Sequence, residues 1–183
     1  MAVEIEVITR PQELEPFQDD IVAVYGEVFA LPPYYERDLG VQGFAQRLPR
    51  HAHWPGFRCC IAREAGRVAG FTYGATLAPN QWWWQCVAPS MNRRQVARWL
   101  EDAFYFAELA VRPALRRRGI GGRLHDTLLA ERPQRTAVLS MTPQARPALT
   151  LYHNRGWVVL LDNFFFPGAN TPTYIMGLAL RER

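Results

Sequence analysis

The chain contains no lysine: all 21 of its basic residues are arginine, set against 17 Asp and Glu. That absence reads as codon bias from a GC-rich genome, so the arginines' positions say more than their identity. Cysteine is scarce. Three residues, two of them adjacent (Cys59 and Cys60), cannot make a disulfide framework and read as buried or free thiols in a reducing compartment. Long apolar runs are missing as well. The best candidate, residues 157–166, is cut by Asp162 and Asn163 and is too short to span a bilayer. The opening Met-Ala-Val-Glu-Ile-Glu has neither a basic n-region nor an apolar h-region, so no signal peptide is expected. The expectation is a cytoplasmic protein with no membrane partner.

What is present is an ordinary globular balance. Of 183 residues, 49% are hydrophobic and 21% charged, which excludes disorder and collagen-like repetition and suits one domain with its own core. The net charge of +4 hides an asymmetry. Residues 1–50 hold four Arg against nine acids, whereas residues 51–183 hold seventeen Arg against eight acids. Five arginines (112, 116, 117, 118 and 123) fall within twelve residues that contain no acid.

Periodicity organises the rest. Residues 3–8 alternate as a short strand. Thr9 and Gln12 have capping-box spacing and Pro11 suits a first helical turn; Leu14, Phe17, Ile21, Val24 and Val28 then step at helical period, with Pro16 bending the start. A weaker helix carries Val41, Phe44 and Leu48. Residues 57–63 and 67–76 read as a hairpin around Gly66, followed by a Trp-rich loop at Trp82, Trp83 and Trp84 and a helix over 93–102. Strands are expected at 104–111, 136–141, 157–161 and 174–180, and helices at 119–131 and 145–155, the latter ended by Gly156. Strand, helix and strand within about 40 residues make a β-α-β unit with parallel strands, hence a mixed α/β class.

Arg116, Arg117, Arg118, Gly119, Ile120, Gly121 and Gly122 stand where strand gives way to helix. A helix N-terminus presents unpaired N–H groups and about half a positive charge. Glycines let that backbone approach a ligand, and guanidinium groups add charge-assisted bonds to phosphate oxygens. The segment is built like a diphosphate cradle, though it matches neither Gly-x-Gly-x-x-Gly nor Gly-Lys-Ser/Thr. A solvated basic turn is the plainer alternative.

Glu108-Leu109-Ala110-Val111-Arg112-Pro113, the Arg116-x-x-Gly119-x-Gly121 loop and Leu151-Tyr152-x-x-x-Gly156-Trp157 follow one another in this order and spacing. Together they resemble the GNAT superfamily of acyl-CoA-dependent N-acyltransferases, over about residues 104–160. The resemblance implies a single domain over 1–183, with a central twisted mixed sheet, a splayed parallel strand pair and helices on both faces. In it, 1–103 would be an acceptor-side half, 104–160 the acyl-CoA-binding core and 161–183 the C-terminal strands. It also implies acetyl-CoA as co-substrate; no metal is expected, on the spacing of the histidines and cysteines. Leu109, Ala110 and Val111 would pair with the pantetheine arm, the loop from Arg116 to Gly122 would hold the pyrophosphate, and Tyr152 would protonate the departing thiolate. One position departs from the pattern: the Asn often found seven residues before that tyrosine is Ala145 here, which puts one cofactor contact in doubt.

Acetyl transfer to an amine also needs a base, and Glu108 is the candidate because its strand would line the cleft; burial there would raise its pKa. A carboxylate paired with a nearby arginine is the alternative. Tyr34, Tyr35, Glu36 and the tryptophan run read as walls of an acceptor pocket, as a lid over the core or as a subunit contact, so a homodimer is one expectation. The acidic first fifty residues favour a cationic acceptor, a small-molecule or peptide amine. His51, His53, Cys59 and Cys60 lack zinc spacing, and His125 and His153 read as ordinary surface or half-buried histidines without acidic partners at useful spacing. Two rival functions remain open. One is an acyl-CoA-binding sensor or scaffold without turnover. The other is a basic nucleic-acid-binding module, disfavoured because no known reading motif occurs and no nucleic acid partner is expected.

Overall fold

A computed structural model describes residues 3–181. Met1 and Ala2, which open the leader-free reading, and Glu182 and Arg183 lie outside the described residues. The alternating start forms β1 (Glu4–Ile8). In α1 (Pro11–Leu14) the reciprocal cap comes from Glu13 rather than Gln12: its carboxylate accepts the Thr9 and Arg10 N–H groups at 3.2 Å each. The helix begins one residue later than the Thr9 spacing implies. Pro16 sits in a 3-10 turn, and α2 (Gln18–Phe29) then buries Ile21, Val24, Tyr25, Val28 and Phe29 on one stripe. Burying each such side chain fully contributes roughly 1.5–3 kcal/mol. The weaker helix proves to be α3 (Asp38–His51), longer than its apolar stripe, with Phe44 and Leu48 facing inward.

β2 (Arg58–Glu64) and β3 (Arg67–Thr76) form the expected antiparallel hairpin. Its turn residues Ala65 and Gly66 have φ of 49° and 77°, the primed geometry that matches strand twist. The Trp-rich segment is not a loop. It forms α4 (Trp82–Val87), because Trp83 is buried and its indole N–H reaches Ser140 Oγ at 3.3 Å, while Trp82 stays exposed against Phe166. α5 (Arg93–Trp99) is capped by Asn92 and leads into β4 (Ala103–Val111). Then follow α6 (Ile120–Leu129), β5 (Thr136–Met141), α7 (Arg146–His153), β6 (Val158–Phe164) and β7 (Thr173–Ala179).

The strands hydrogen-bond in the order β1-β2-β3-β4-β5-β7-β6, a mixed sheet in a mixed α/β fold. β4 and β5 run parallel, as expected, over Ala103, Phe104 and Tyr105 against Thr136, Ala137 and Val138. The remainder of β4 extends beyond that register. Contacts divide the chain into two compact units. One comprises the described residues up to Ala75 with Ala107–Ala130; its core joins α2, α3, β2 and β3 to Ala110. The other comprises Thr76–Phe106 and the described residues from Glu131 on, with a core of Leu77, Trp83, Leu100, Val138 and Ile175 among others. Among the described residues no helix is long and apolar enough to cross a membrane.

Candidate active site

Glu108 lies on β4, and its side chain keeps only 19% of its surface exposed. Arg47, on α3, donates to its Oε1 at 3.1 Å. The arginine pairing weighed as the alternative for Glu108 is therefore present, on a half-buried strand carboxylate. Burial raises its pKa to about 7; Arg47 pulls the other way and Glu36 adds to the rise. Glu36, in the α2–α3 connection, accepts the Tyr25 hydroxyl at 2.8 Å. Room for that carboxylate depends on Gly40, where a Cβ would stand 2.5 Å from Glu36 Oε2. The Tyr25 ring stacks between Phe44 at 3.9 Å and Phe29 at 4.3 Å, which fixes its hydroxyl. Burial, then Glu108 and Glu36, push the Tyr25 phenol upward; burial and Glu108 do the same to Tyr34. Tyr34 and Glu36 thus share this environment, whereas Tyr35 is 67% exposed.

Arg47 carries the opposite charge into the group. Burial disfavours its cation, but Glu108 and the phenols Tyr73 and Tyr25 outweigh that, so its pKa is raised. Its guanidinium also lies over the Phe44 ring, 5.5 Å from the centroid. One helical turn on, His51 stacks on Trp54 and shares a 3.1 Å hydrogen bond with the Tyr73 hydroxyl. Burial, with Arg47 and Arg50, drops its pKa to about 4, so the ring is neutral at pH 7. Arg47 and His51 were not read from the sequence as site residues. The available signal was a charge and an imidazole on the α3 stripe that also carries Phe44 and Leu48.

β4 beyond Glu108 is held close to β3. Thr72 Oγ1 donates to the Glu108 carbonyl at 2.7 Å, and the Arg112 N–H donates to the Ala69 carbonyl at 2.9 Å. At Gly70 a Cβ would lie 2.6 Å from the Ala110 carbonyl oxygen and 3.1 Å from Val111 Cα, so only glycine permits this approach. Leu109, Ala110 and Val111 are therefore fixed along the β3 edge.

The loop after β4 separates into structural and open arginines. Arg112 is structural: it donates from Nε to the Val68 carbonyl at 2.7 Å and pairs with Glu27. Arg118 forks onto Glu64, which holds that carboxyl below its ordinary range. Arg116 bonds the Val111 carbonyl through Nε at 3.2 Å, and its neighbour Arg117 is exposed with φ of 63°. Gly119, at φ 77°, is the N-cap of α6 and offers no side-chain cap. The N–H groups of Ile120, Gly121 and Gly122 therefore open the helix uncapped, and nothing lies within 4 Å of a Cβ placed at Gly119. Donors, charge and open space at one helix start fit an anionic diphosphate.

Tyr152 belongs to the other unit. It is buried on α7, with its ring edge-on to Phe106 at 6.0 Å and near Trp157 at 5.6 Å. Ala145, the departure noted in the sequence, is buried at the start of that helix. His125 corrects its sequence reading: it is buried and bonded to Asp126 Oδ1 at 2.8 Å, an acidic partner at the adjacent position.

The family model described as Acetyltransferase (GNAT) family matches residues 26–157. A GCN5-like protein acetyltransferase of Mycobacterium tuberculosis is 32% identical over 122 residues, 62% of this chain. The match spans 59% of that relative's length, less than two thirds. Among solved structures, the ribosomal-protein-S18-alanine N-acetyltransferase of Escherichia coli aligns with a TM-score of 0.66 at 15% identity, over 100% of this chain and 96% of that one. The PaiA N-acetyltransferase of Thermoplasma acidophilum, solved with coenzyme A, aligns with a TM-score of 0.62 at 12% identity, over 98% and 99% of the two chains. At such identities these two structures speak to the fold alone.

Proposed function

The chain belongs to the GNAT acetyltransferase family, and on that premise we propose that it moves an acetyl group from acetyl-CoA to a primary amine of a small molecule or peptide by direct attack. Acetyl-CoA supplies the activated thioester. The uncapped N–H groups of Ile120, Gly121 and Gly122, with Arg116, Arg117 and Arg118, hold its pyrophosphate. Arg118 exchanges Glu64 for phosphate, one charge-assisted acceptor for another. Leu109, Ala110 and Val111 pair their backbone with the pantetheine arm, and an N–H at Ala110 or Val111 donates where negative charge develops on the reacting carbonyl.

Glu108 takes the proton from the amine, directly or through water. A primary amine is mostly protonated at pH 7, and a base whose pKa lies near the working pH serves best. The observation that carries this reading is the placement of Glu108, a half-buried strand carboxylate that accepts from Arg47 at 3.1 Å and whose pKa burial raises to about 7. Tyr152 holds the proton that the leaving sulfur takes up. Glu36 and Glu108 favour a cationic acceptor, and the name of the mycobacterial relative, a protein acetyltransferase, favours a protein or peptide amine among such acceptors. The test is thiol release from acetyl-CoA across a panel of amines. Transfer to cationic amines with stoichiometric free thiol supports the reading. Binding of acetyl-CoA with no thiol release from any amine would make the chain a sensor instead.

A further inference from the structure

The second unit contains a cavity of about 660 Å³ whose wall includes Arg94, Arg98, Arg135 and Arg181. That volume falls in the range of small-molecule pockets, about 300–1,000 Å³. It sits where α5 and β7 end and β5 begins, whereas the Gly119 cradle follows the end of β4. We propose that this cavity is a second binding site, taking a small organic phosphate.

Three features support it. The first is charge. Four arginines line one cavity, and the carboxylate paired within the group is Asp102, which accepts from Arg135 Nε at 3.1 Å. Both partners are over 40% exposed, so the pair is weak and a phosphate can displace it. Among the described residues neither Arg94 nor Arg98 enters an ion pair.

The second is rigidity. Thr136 Oγ1 donates to the carbonyls of Trp99 at 3.0 Å and Asp102 at 3.2 Å, tying the end of α5 to the start of β5. The Leu180 N–H donates to the Arg135 carbonyl at 2.8 Å, and Arg181 reaches the Arg132 carbonyl at 3.1 Å, tying in the end of β7. The third is the floor. The Trp99 indole lies so close to β7 that a Cβ at Gly177 would stand 2.6 Å from its Cε3, and the Arg98 guanidinium lies over the ring at 5.1 Å from the centroid. Arg98 is thus mounted on a fixed aromatic base. A concave wall of forked donors suits a compact phosphate ester; a nucleic acid backbone would ask for an open stripe.

Inorganic pyrophosphate is the probe, titrated calorimetrically into the full chain already saturated with coenzyme A. Saturable binding is expected, weakened at least tenfold in Arg94→Ala/Arg98→Ala with coenzyme A affinity unchanged. The inference stands apart from acetyl transfer: should coenzyme A not bind, the same titration is run on the free chain and on Gly121→Trp, which alters the cradle alone. Absence of saturable binding, or binding that the double variant leaves intact, overturns the proposal. Duplex DNA that binds and is not displaced by pyrophosphate overturns it too.

Discussion

Glu108 occupies a position where small changes in charge move a proton equilibrium through the working range of the protein. Its pKa of about 7 is the balance of burial and Glu36 against Arg47. If it is the base, kcat/KM rises with pH through about 7 and levels off above. Arg47→Met removes the stabilising cation and shifts that limb to higher pH; Glu36→Gln removes a repelling charge and shifts it lower. A pH-rate profile of both variants reads the two opposite displacements. Glu108→Gln abolishes the limb and lowers turnover by about 10²–10⁴-fold, the range of general-base contributions. The same raised pKa has a stability consequence. A carboxyl whose folded pKa exceeds its unfolded one contributes stability that is complete below the unfolded value and is lost as pH rises through about 7. Denaturant titration between pH 5 and 8 is therefore expected to show wild type losing stability relative to Glu108→Gln. In the second unit, Tyr152→Phe keeps the ring packed on Phe106 and Trp157 while removing the hydroxyl. Turnover is expected to fall about 10- to 1000-fold with little change in acetyl-CoA affinity.

At the scale of elements, the run from β4 through the Gly119 loop and α6 to β5 was readable because it is contiguous and each part keeps its own period. The apolar strand, the glycine-opened helix with Leu124 and Leu128 inward, and the buried second strand all lie where the pattern puts them. Patterns failed where a tertiary contact decides. Nothing local says that Trp82, Trp83 and Trp84 are helical, since burial of Trp83 against Ser140, far along the chain, selects the helix. The bond from Arg118 to Glu64 is likewise invisible to a reader of the arginine cluster. The close pass of β3 and β4 gives an element-scale prediction. Gly70→Val forces its side chain against the Ala110 carbonyl and Val111, and β4 must shift. Acetyl-CoA affinity should fall in calorimetry while circular dichroism keeps the secondary structure.

For the whole molecule, the charge asymmetry of the sequence acquires a location. The acidic first fifty residues supply Glu36, and the α2–α3 pair that carries it brings Arg47 to Glu108, 61 positions away in the chain. That separation explains why the grouping of Glu36, Arg47 and Glu108 was legible only as composition, whereas the glycine-opened start of α6 was legible as a motif. A ligand that binds only the folded chain stabilises it by RT ln(1 + [L]/Kd), a gain that grows with the logarithm of its concentration. At a hundred times Kd the gain is about 2.7 kcal/mol. For a chain of this size that raises Tm by about 5–10 °C, at about 2–4 °C per kcal/mol. A melting curve taken with and without coenzyme A checks this.

The most direct test of acyl-CoA use is isothermal titration of acetyl-CoA into the wild-type chain and into Gly121→Trp, with circular dichroism confirming that the variant is folded. One saturable site per wild-type chain, lost when the indole fills the start of α6, is the expected result. No heat from the wild type at millimolar acetyl-CoA, or equal affinity in the folded variant, would contradict it.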